Sequence, residues 1–450
     1  MRTRLAALLV ALGGLPLAGC APSPPNLLLI VVDSLRADHL SCYGHERATS
    51  PALDALAEGG VRFTRAYATA PWTKPSVASI FTGLQPSAHG VQRVARPLSP
   101  RLPNLGEALA RRGYATGGVV SHSLIGSRFG FARGFERFLE SEAQGASHVS
   151  SEGVTQQAIG LLDELAADGR PFFLFVHYFD PHYTYRRHPQ YGFAARGAGR
   201  LRGEEPIQVL RRLRESVSPV ELRLVRDIYD EEIRFTDEGI GRLLGALGER
   251  DLTGRTWIFV TADHGEEFLE RGHFGHTRTL YEELVRVPLI VSGPRAVASA
   301  VDTPVSLVSL PATILALAGS APAPAFQGPS LLPLLLGEPA PTPPPPRFEV
   351  DFVPTLEENA QNRAHQRGIV SEGFKLIEDL ETGTLSLFDL AADPGERDDL
   401  SQRRPALRAR LRDALARAHE RAAPPAQSGR NPTLPPAEIE RLRELGYLED

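Results

Sequence analysis

The chain has 450 residues, 42% of them hydrophobic, and a formal net charge of -5 at pH 7. That is ample material for a large buried core, and the length suits one big domain with smaller additions. Arginines are interspersed with Asp and Glu, which excludes the basic stripe of a nucleic-acid-binding protein and leaves solvated helix faces as their reading.

The chain opens with "MRTRLAALLVALGGLPLAGC". Two arginines precede an apolar run too short to be a good membrane span, which is the layout of a secretory signal over 1–20. "LAGC" ending at Cys20 resembles a bacterial lipobox, whose cysteine is acylated and becomes the first residue of the mature protein; the alternative is a plain signal with an incidental cysteine. Acyl chains hold a protein at a membrane surface without a spanning helix. Ala21, in place of Asp, resembles the sorting signal for the outer membrane. The expectation is an exported bacterial lipoprotein on the periplasmic face of that membrane or at the cell surface. The only other cysteine is Cys42, so acylation of Cys20 leaves no intramolecular disulfide.

Several short apolar runs follow, each with polar residues at its end. "NLLLIVVD" ends at Asp33, "YATGGVVSH" at His122, and "PFFLFVHYFDPH" in a cluster from His177 to His182. "TWIFVTADHG" ends in Asp263 and His264, and "RVPLIVSGP" in a turn. Runs apolar on both faces are buried parallel strands. Helix-like segments separate them, beginning with "SPALDALAEGG" (Ser50 as N-cap, Pro51 at the first position). The alternation predicts an α/β fold with a doubly wound, mostly parallel sheet over 26–335. A Pro-rich linker (336–347), a small antiparallel sheet (348–400) and a helical tail (401–450) complete the expected organisation.

The polar residues gather at the carboxyl ends of the strands, the edge where open α/β sheets bind ligands. Asp33, Asp263 and His264 are candidate ligands of one divalent ion. Mixed carboxylate and imidazole donors suit Zn or Mn, and carboxylates without nitrogen suit Ca or Mg. Asp180, His182 and His276 are candidates for a second ion; His182 and His276 are alternatively placed to bind substrate oxygens or protonate a leaving group. Thr73 opens the segment "TKPSVASIFTG" at a helix N-terminus, which binds anions. Its hydroxyl is either a nucleophile activated by the ion or only a helix cap. Lys74, one of just two lysines with Lys375, is a candidate for holding an anionic ester or a residue turned to solvent.

These blocks together resemble the sulfatase family of the alkaline phosphatase superfamily. "NLLLIVVDSLRADHLSCYG", "TKPSVASIFTG", "FFLFVHYFDPHYTY", "TADHGEEF…GHFGHTRTLYEELVRVPLI" and "SLFDLAADPGERDDL" occur in the family's order. The resemblance implies a sulfatase-like fold, a divalent ion (Zn, Mn or Ca) and a sulfate or phosphate ester substrate. It also brings departures. Thr73 stands where sulfatases carry the cysteine that becomes formylglycine, so no formylglycine is expected; Val77 replaces an arginine and Ser34 a carboxylate. His122 falls in the family's Lys-Trp-His turn as a substrate ligand, and His276 replaces a sulfate-binding lysine. A Thr nucleophile with one first-strand Asp resembles the phosphatase, phosphodiesterase and phosphoglycerol-transferase branches. The expected protein is thus a metal-dependent hydrolase or transferase of anionic esters. A sulfuric ester hydrolase with an unconventional nucleophile, and a catalytically silent binding lipoprotein, stay open as alternatives.

Overall fold

The computed structural model describes residues 24–144, 150–356, 363–420 and 431–449. The leader and Cys20 lie outside the described residues. In chain order the strands are β1 (Asn26–Val32), β2 (Val61–Tyr67), β3 (Ala115–Val119), β4 (Arg137–Leu139), β5 (Phe172–Tyr178), β6 (Thr256–Ala262), β7 (Glu267–Phe268), β8 (Phe274–Gly275), β9 (Arg286–Ser292), β10 (Ser299–Val301), β11 (Val305–Ser306), β12 (Arg347–Phe352), β13 (Ala364–Ser371), β14 (Phe374–Asp379) and β15 (Leu385–Asp389).

Among the described residues a nine-stranded sheet runs β10-β2-β9-β6-β1-β5-β3-β4, with β11 beside β2. β9 is antiparallel to both its neighbours, and the other pairs are parallel. The expected mostly parallel α/β sheet is what forms. β1, β5 and β6 are buried along their whole length, as their apolar sequences require of strands covered on both faces. Leu29 of β1 is paired with Phe175 of β5 on one side and Phe259 of β6 on the other. Three parallel neighbours in one register must deliver whatever follows them to one edge.

Helices cover both faces. Successive strand residues point to opposite sides. A side chain at Gly117 would meet Leu161 and Leu165 of the helix Ser151–Ala167, and one at Gly118 would meet Phe138 and Phe135. Phe135 in turn packs edge-on against Phe81 of the helix Thr73–Thr82. β12 to β15 form a separate antiparallel sheet, joined to the main body where Glu349 N–H donates to Thr69 O (2.8 Å).

The helical tail forms two helices, and they pack on different parts of the molecule. Leu411 and Leu415 of the helix Pro405–Glu420 pack on Ile369, Leu376 and Leu387 of the small sheet. Leu442 of the helix Pro436–Glu444, and Tyr447 after it, are buried in the core of the main body instead. No helix of the described residues is long and apolar enough to cross a membrane.

Candidate active site

Thr73 is the first residue of its helix, after Trp72 in extended conformation (φ -163°, ψ 156°) and with Pro75 in the first turn. Its side chain makes no cap. Oγ1 lies 3.5 Å from Asp33 Oδ2 and 3.3 Å from His264 Nε2. The capping alternative is therefore set aside. Lys74 follows about 100° further round the helix, and that rotation takes it away from the site. Its Nζ donates to Val94 O at 2.7 Å and stands 3.3 Å from the centroid of the Phe129 ring, fully buried. Burial pushes its ammonium well below the ordinary lysine range. Neither expectation for Lys74, substrate ligand or solvent-facing residue, holds.

Asp33, Asp263 and His264 meet at the carboxyl edge of β1 and β6. Their buried carboxylates have no Lys or Arg partner among the described residues; the nearest cationisable groups are His177 and His264. Burial, and next the charge of Asp263, push the Asp33 carboxyl well above the usual range. Burial opposes the Asp263 charge too, yet His264 and His177 hold that group below its ordinary value. Asp263 Oδ2 has no hydrogen-bond partner, and neither has His177 Nε2, 3.8 Å from Asp33 Oδ2 and from Asp263 Oδ2. Ligands about 2.0–2.2 Å from one tetrahedral ion stand roughly 3.3–3.6 Å apart. The spacings among Thr73, Asp33, Asp263, His264 and His177 run from 3.3 to 3.8 Å. Most are too long for good hydrogen bonds and near the edge length of a coordination shell. The donor set fits a divalent cation.

The tautomers sort the histidines. His264 Nδ1 lies 2.8 Å from Gly265 O and His182 Nδ1 2.6 Å from Tyr183 O. Each must carry its proton there, leaving an Nε2 lone pair facing the site. Ser121 donates its hydroxyl to His177 O (2.6 Å), so its oxygen is free to accept from His177 Nδ1 (3.2 Å); His177 Nε2 also offers a lone pair. His122 is the reverse. Its Nδ1 accepts the Leu124 N–H (3.1 Å), so Nε2 carries the proton and has no protein acceptor. His122 thus presents a donor, although it lies within ligand distance of Asp33 and His182. His276 Nδ1 is 3.0 Å from Glu266 Oε1. Burial raises Glu266 well above the usual carboxyl range and lowers His276 well below the usual imidazole range. A Glu266 carboxyl that keeps its proton would donate it to Nδ1 and leave the N–H at His276 Nε2.

Asp180 does not join His182 and His276. Its Oδ2 accepts the Ser151 N–H and the Ser151 hydroxyl, both at 2.7 Å, and so holds the start of the helix Ser151–Ala167. The expected second-ion trio is corrected on that point: the carboxylate is spent on a helix N-terminus.

Two cavities flank the site. One of about 1130 Å³ is lined by Tyr183, Arg211, Glu440 and Leu448, and one of about 560 Å³ by Arg211, Arg214, His276 and Arg278. Thr73 lines neither, and it is fully buried. Tyr447 lies over it, with its hydroxyl 3.1 Å from Thr73 Oγ1, 3.1 Å from His276 Nε2 and 3.4 Å from His182 Nε2.

A family model described as Sulfatase matches residues 25–320. The chain belongs to the sulfatase family. A second model, described as N-sulphoglucosamine sulphohydrolase, C-terminal, matches residues 270–421. Arylsulfatase A of Bos taurus is 31% identical over 378 residues, covering 70% of this chain and 69% of that protein. An N-acetylglucosamine-6-O-sulfatase of Bacteroides thetaiotaomicron is 24% identical, covering 89% of this chain and 88% of its own. Among solved structures, a protein in complex with its substrate D-glucosamine-2-N,6-O-disulfate superposes with a TM-score of 0.74 at 20% identity, over 89% of this chain and 99% of that one. The phosphonate monoester hydrolase of Agrobacterium radiobacter gives 0.73 at 23% identity, over 89% and 96%. Those two likenesses carry the fold alone. The protein is a sulfatase-like ester hydrolase of the alkaline phosphatase superfamily, a family of metal-dependent enzymes.

In this family member Ser34 binds both carboxylates, through its N–H to Asp263 Oδ1 and its hydroxyl to Asp33 Oδ1, each at 3.2 Å. Three site residues escaped the sequence reading. His177 hides in an apolar strand, Glu266 in an acidic run, and Tyr447 in a tail with no marking beyond the turn "LGY".

Proposed function

We propose that the protein hydrolyses, or transfers, phosphate-type esters (phosphate or phosphonate) through Thr73 as nucleophile. The observation that carries this reading is Thr73 Oγ1 between Asp33 Oδ2 and His264 Nε2, uncapped and buried. One divalent ion, Zn or Mn by its mixed imidazole and carboxylate donors, fits among Asp33, Asp263, His264 and His177 beside Thr73; bound there it supplies the charge that acidifies the hydroxyl and offsets the substrate's.

Thr73 Oγ1 gives up its hydroxyl proton towards Asp33 Oδ2, 3.5 Å away, and attacks phosphorus in line, forming an O–P bond as the bond to the leaving alcohol breaks. His122 Nε2–H donates to a non-bridging oxygen. His276 Nε2–H passes its proton to the leaving oxygen, while Glu266 returns one to Nδ1. His182 Nε2, an acceptor, orients the water, or in transfer the acceptor hydroxyl, that then cleaves the threonyl ester at phosphorus, and takes its proton. In this proposal His276 binds substrate through Nε2–H rather than a second ion, and one ion is expected.

Sulfate esters are the second reading, favoured by the sulfatase relatives. A silent binding lipoprotein would not need the donor set to survive. We place the protein, through Cys20, as an exported lipoprotein at the outer membrane or cell surface. The deciding experiment is turnover of p-nitrophenyl phosphate, bis-p-nitrophenyl phosphate and p-nitrophenyl sulfate by metal-loaded protein. Preference for either phosphorus ester is expected; turnover of the sulfate alone overturns the phosphate reading, and a protein that binds metal but turns over none is the silent member.

A further inference from the structure

Residues 436–449 bring Tyr447 into the site beside Thr73. Tyr447 Oη stands 3.1 Å from Thr73 Oγ1. Reacting atoms in a productive complex approach to about 3–3.5 Å. The phenol oxygen therefore occupies the position of the atom under attack, or of an oxygen bound to it. It also takes the bonds a substrate oxygen would take, from His276 Nε2 and towards His182 Nε2. Its ring sits in an aromatic slot, with centroids of His122 at 5.5 Å, His276 at 5.6 Å, His182 at 6.1 Å and Trp72 at 6.2 Å.

The tail is held by a built set of contacts. Gln208 Nε2 donates to Arg443 O (2.6 Å) and Glu444 O (2.9 Å), closing the end of the helix Pro436–Glu444. Arg211 Nη1 donates to Gly446 O at 3.1 Å. Gly446 at φ +65° makes the left-handed turn that points Tyr447 inward. Arg278 pairs with Glu449 (2.7 Å), and Glu449 N–H donates to Pro354 O (2.7 Å). Leu442 anchors the helix in the core, fully buried.

We propose that the C-terminal segment is an intramolecular plug, in which Tyr447 acts as a tethered phenol whose oxygen stands where the transferred group of an ester would bind beside Thr73. Substrate and tail compete for one place, so turnover requires the tail to withdraw. The proposal rests on Thr73 being the reaction centre.

The test uses the full-length, metal-loaded chain and three variants. Tyr447→Ala empties the slot. Leu442→Asp detaches the helix without touching the site. Tyr447→Phe keeps the ring and loses the hydroxyl contacts. Two readouts are taken, kcat/KM on p-nitrophenyl phosphate and the Kd of inorganic phosphate by calorimetry. If the open state of the wild type is about a tenth populated or less, both Tyr447→Ala and Leu442→Asp gain about tenfold or more in phosphate affinity and in kcat/KM, with Tyr447→Phe between. A gain in phosphate affinity with no turnover in any form supports the plug and removes the nucleophile reading. Loss of kcat/KM or of phosphate affinity in Tyr447→Ala makes Tyr447 part of the catalytic machinery and overturns the plug. Unchanged affinity in both Tyr447→Ala and Leu442→Asp overturns it as well.

Discussion

His177→Ala is the substitution that most sharply tests the ion site. The imidazole Nε2 is buried, unpartnered and 3.8 Å from a carboxylate oxygen of each of Asp33 and Asp263. Loss even of an outer partner of a ligand weakens metal binding by about 10–100-fold, so loss of a ligand should cost at least about tenfold, or about 1.4 kcal/mol. An ion at 100 times its Kd stabilises the fold by about 2.7 kcal/mol, and a tenfold weaker Kd removes about half of that. The assay is thermal unfolding of chelator-stripped protein titrated with Zn or Mn. The quantity compared is the metal-induced rise in Tm, because the variant also loses buried packing. In chains beyond 150–250 residues about 1 kcal/mol moves Tm by roughly 2–4 °C or less, which remains resolvable. His276→Ala serves as the control and should keep the wild-type rise and one equivalent of metal. An unweakened His177→Ala, or a second equivalent lost in His276→Ala, would refute the reasoning.

Other residues give independent outcomes. Asp180 is pushed up to about 7, by burial first and then by Glu232. Its unfolded value is near the ordinary 3.8, so between those values the folded state binds more protons and stability falls as pH rises. Asp180→Asn keeps an acceptor for Ser151 and does not titrate; chemical denaturation should show its advantage over wild type growing from pH 4 towards pH 7, and a constant difference would contradict this. Lys74→Met, with its nitrogen directed at Val94 O and Phe129, should leave KM for p-nitrophenyl phosphate unchanged, and a large rise in KM would return Lys74 to the substrate site. Cys20→Ser should release the protein from the membrane fraction or block its maturation, whereas wild-type fractionation of the variant would remove the lipid anchor.

Asp33, Asp263 and His264 were legible because parallel, wholly buried strands announce themselves as apolar runs, and adjacent strands in register have no choice of edge. Lys74 misled because a rare residue beside the nucleophile suggests chemistry, while one step along a helix turns a side chain away from it. Asp180 misled because a carboxylate after a strand serves a helix N-terminus as well as an ion, and Ser151, 29 residues earlier, gives no local sign of needing one. His177 was hidden by its apolar neighbours, although a histidine at the end of a buried strand has few places to point but the ligand edge. Tyr447 is 374 residues from Thr73, and nothing in the intervening pattern joins them. Contacts of that range belong to the tertiary structure and leave no periodicity to read.

The central claim is that Thr73 takes up the transferred group. Metal-loaded Tyr447→Ala protein, quenched in acid during turnover of p-nitrophenyl phosphate and digested, would be read by mass spectrometry for a phosphorylated peptide. The account predicts the phosphoryl group on Thr73, absent in the Thr73→Ala, Tyr447→Ala double variant, whose turnover should fall by several orders of magnitude while its fold survives. Near-normal turnover in that double variant, or a phosphoryl group on any other residue, would contradict it.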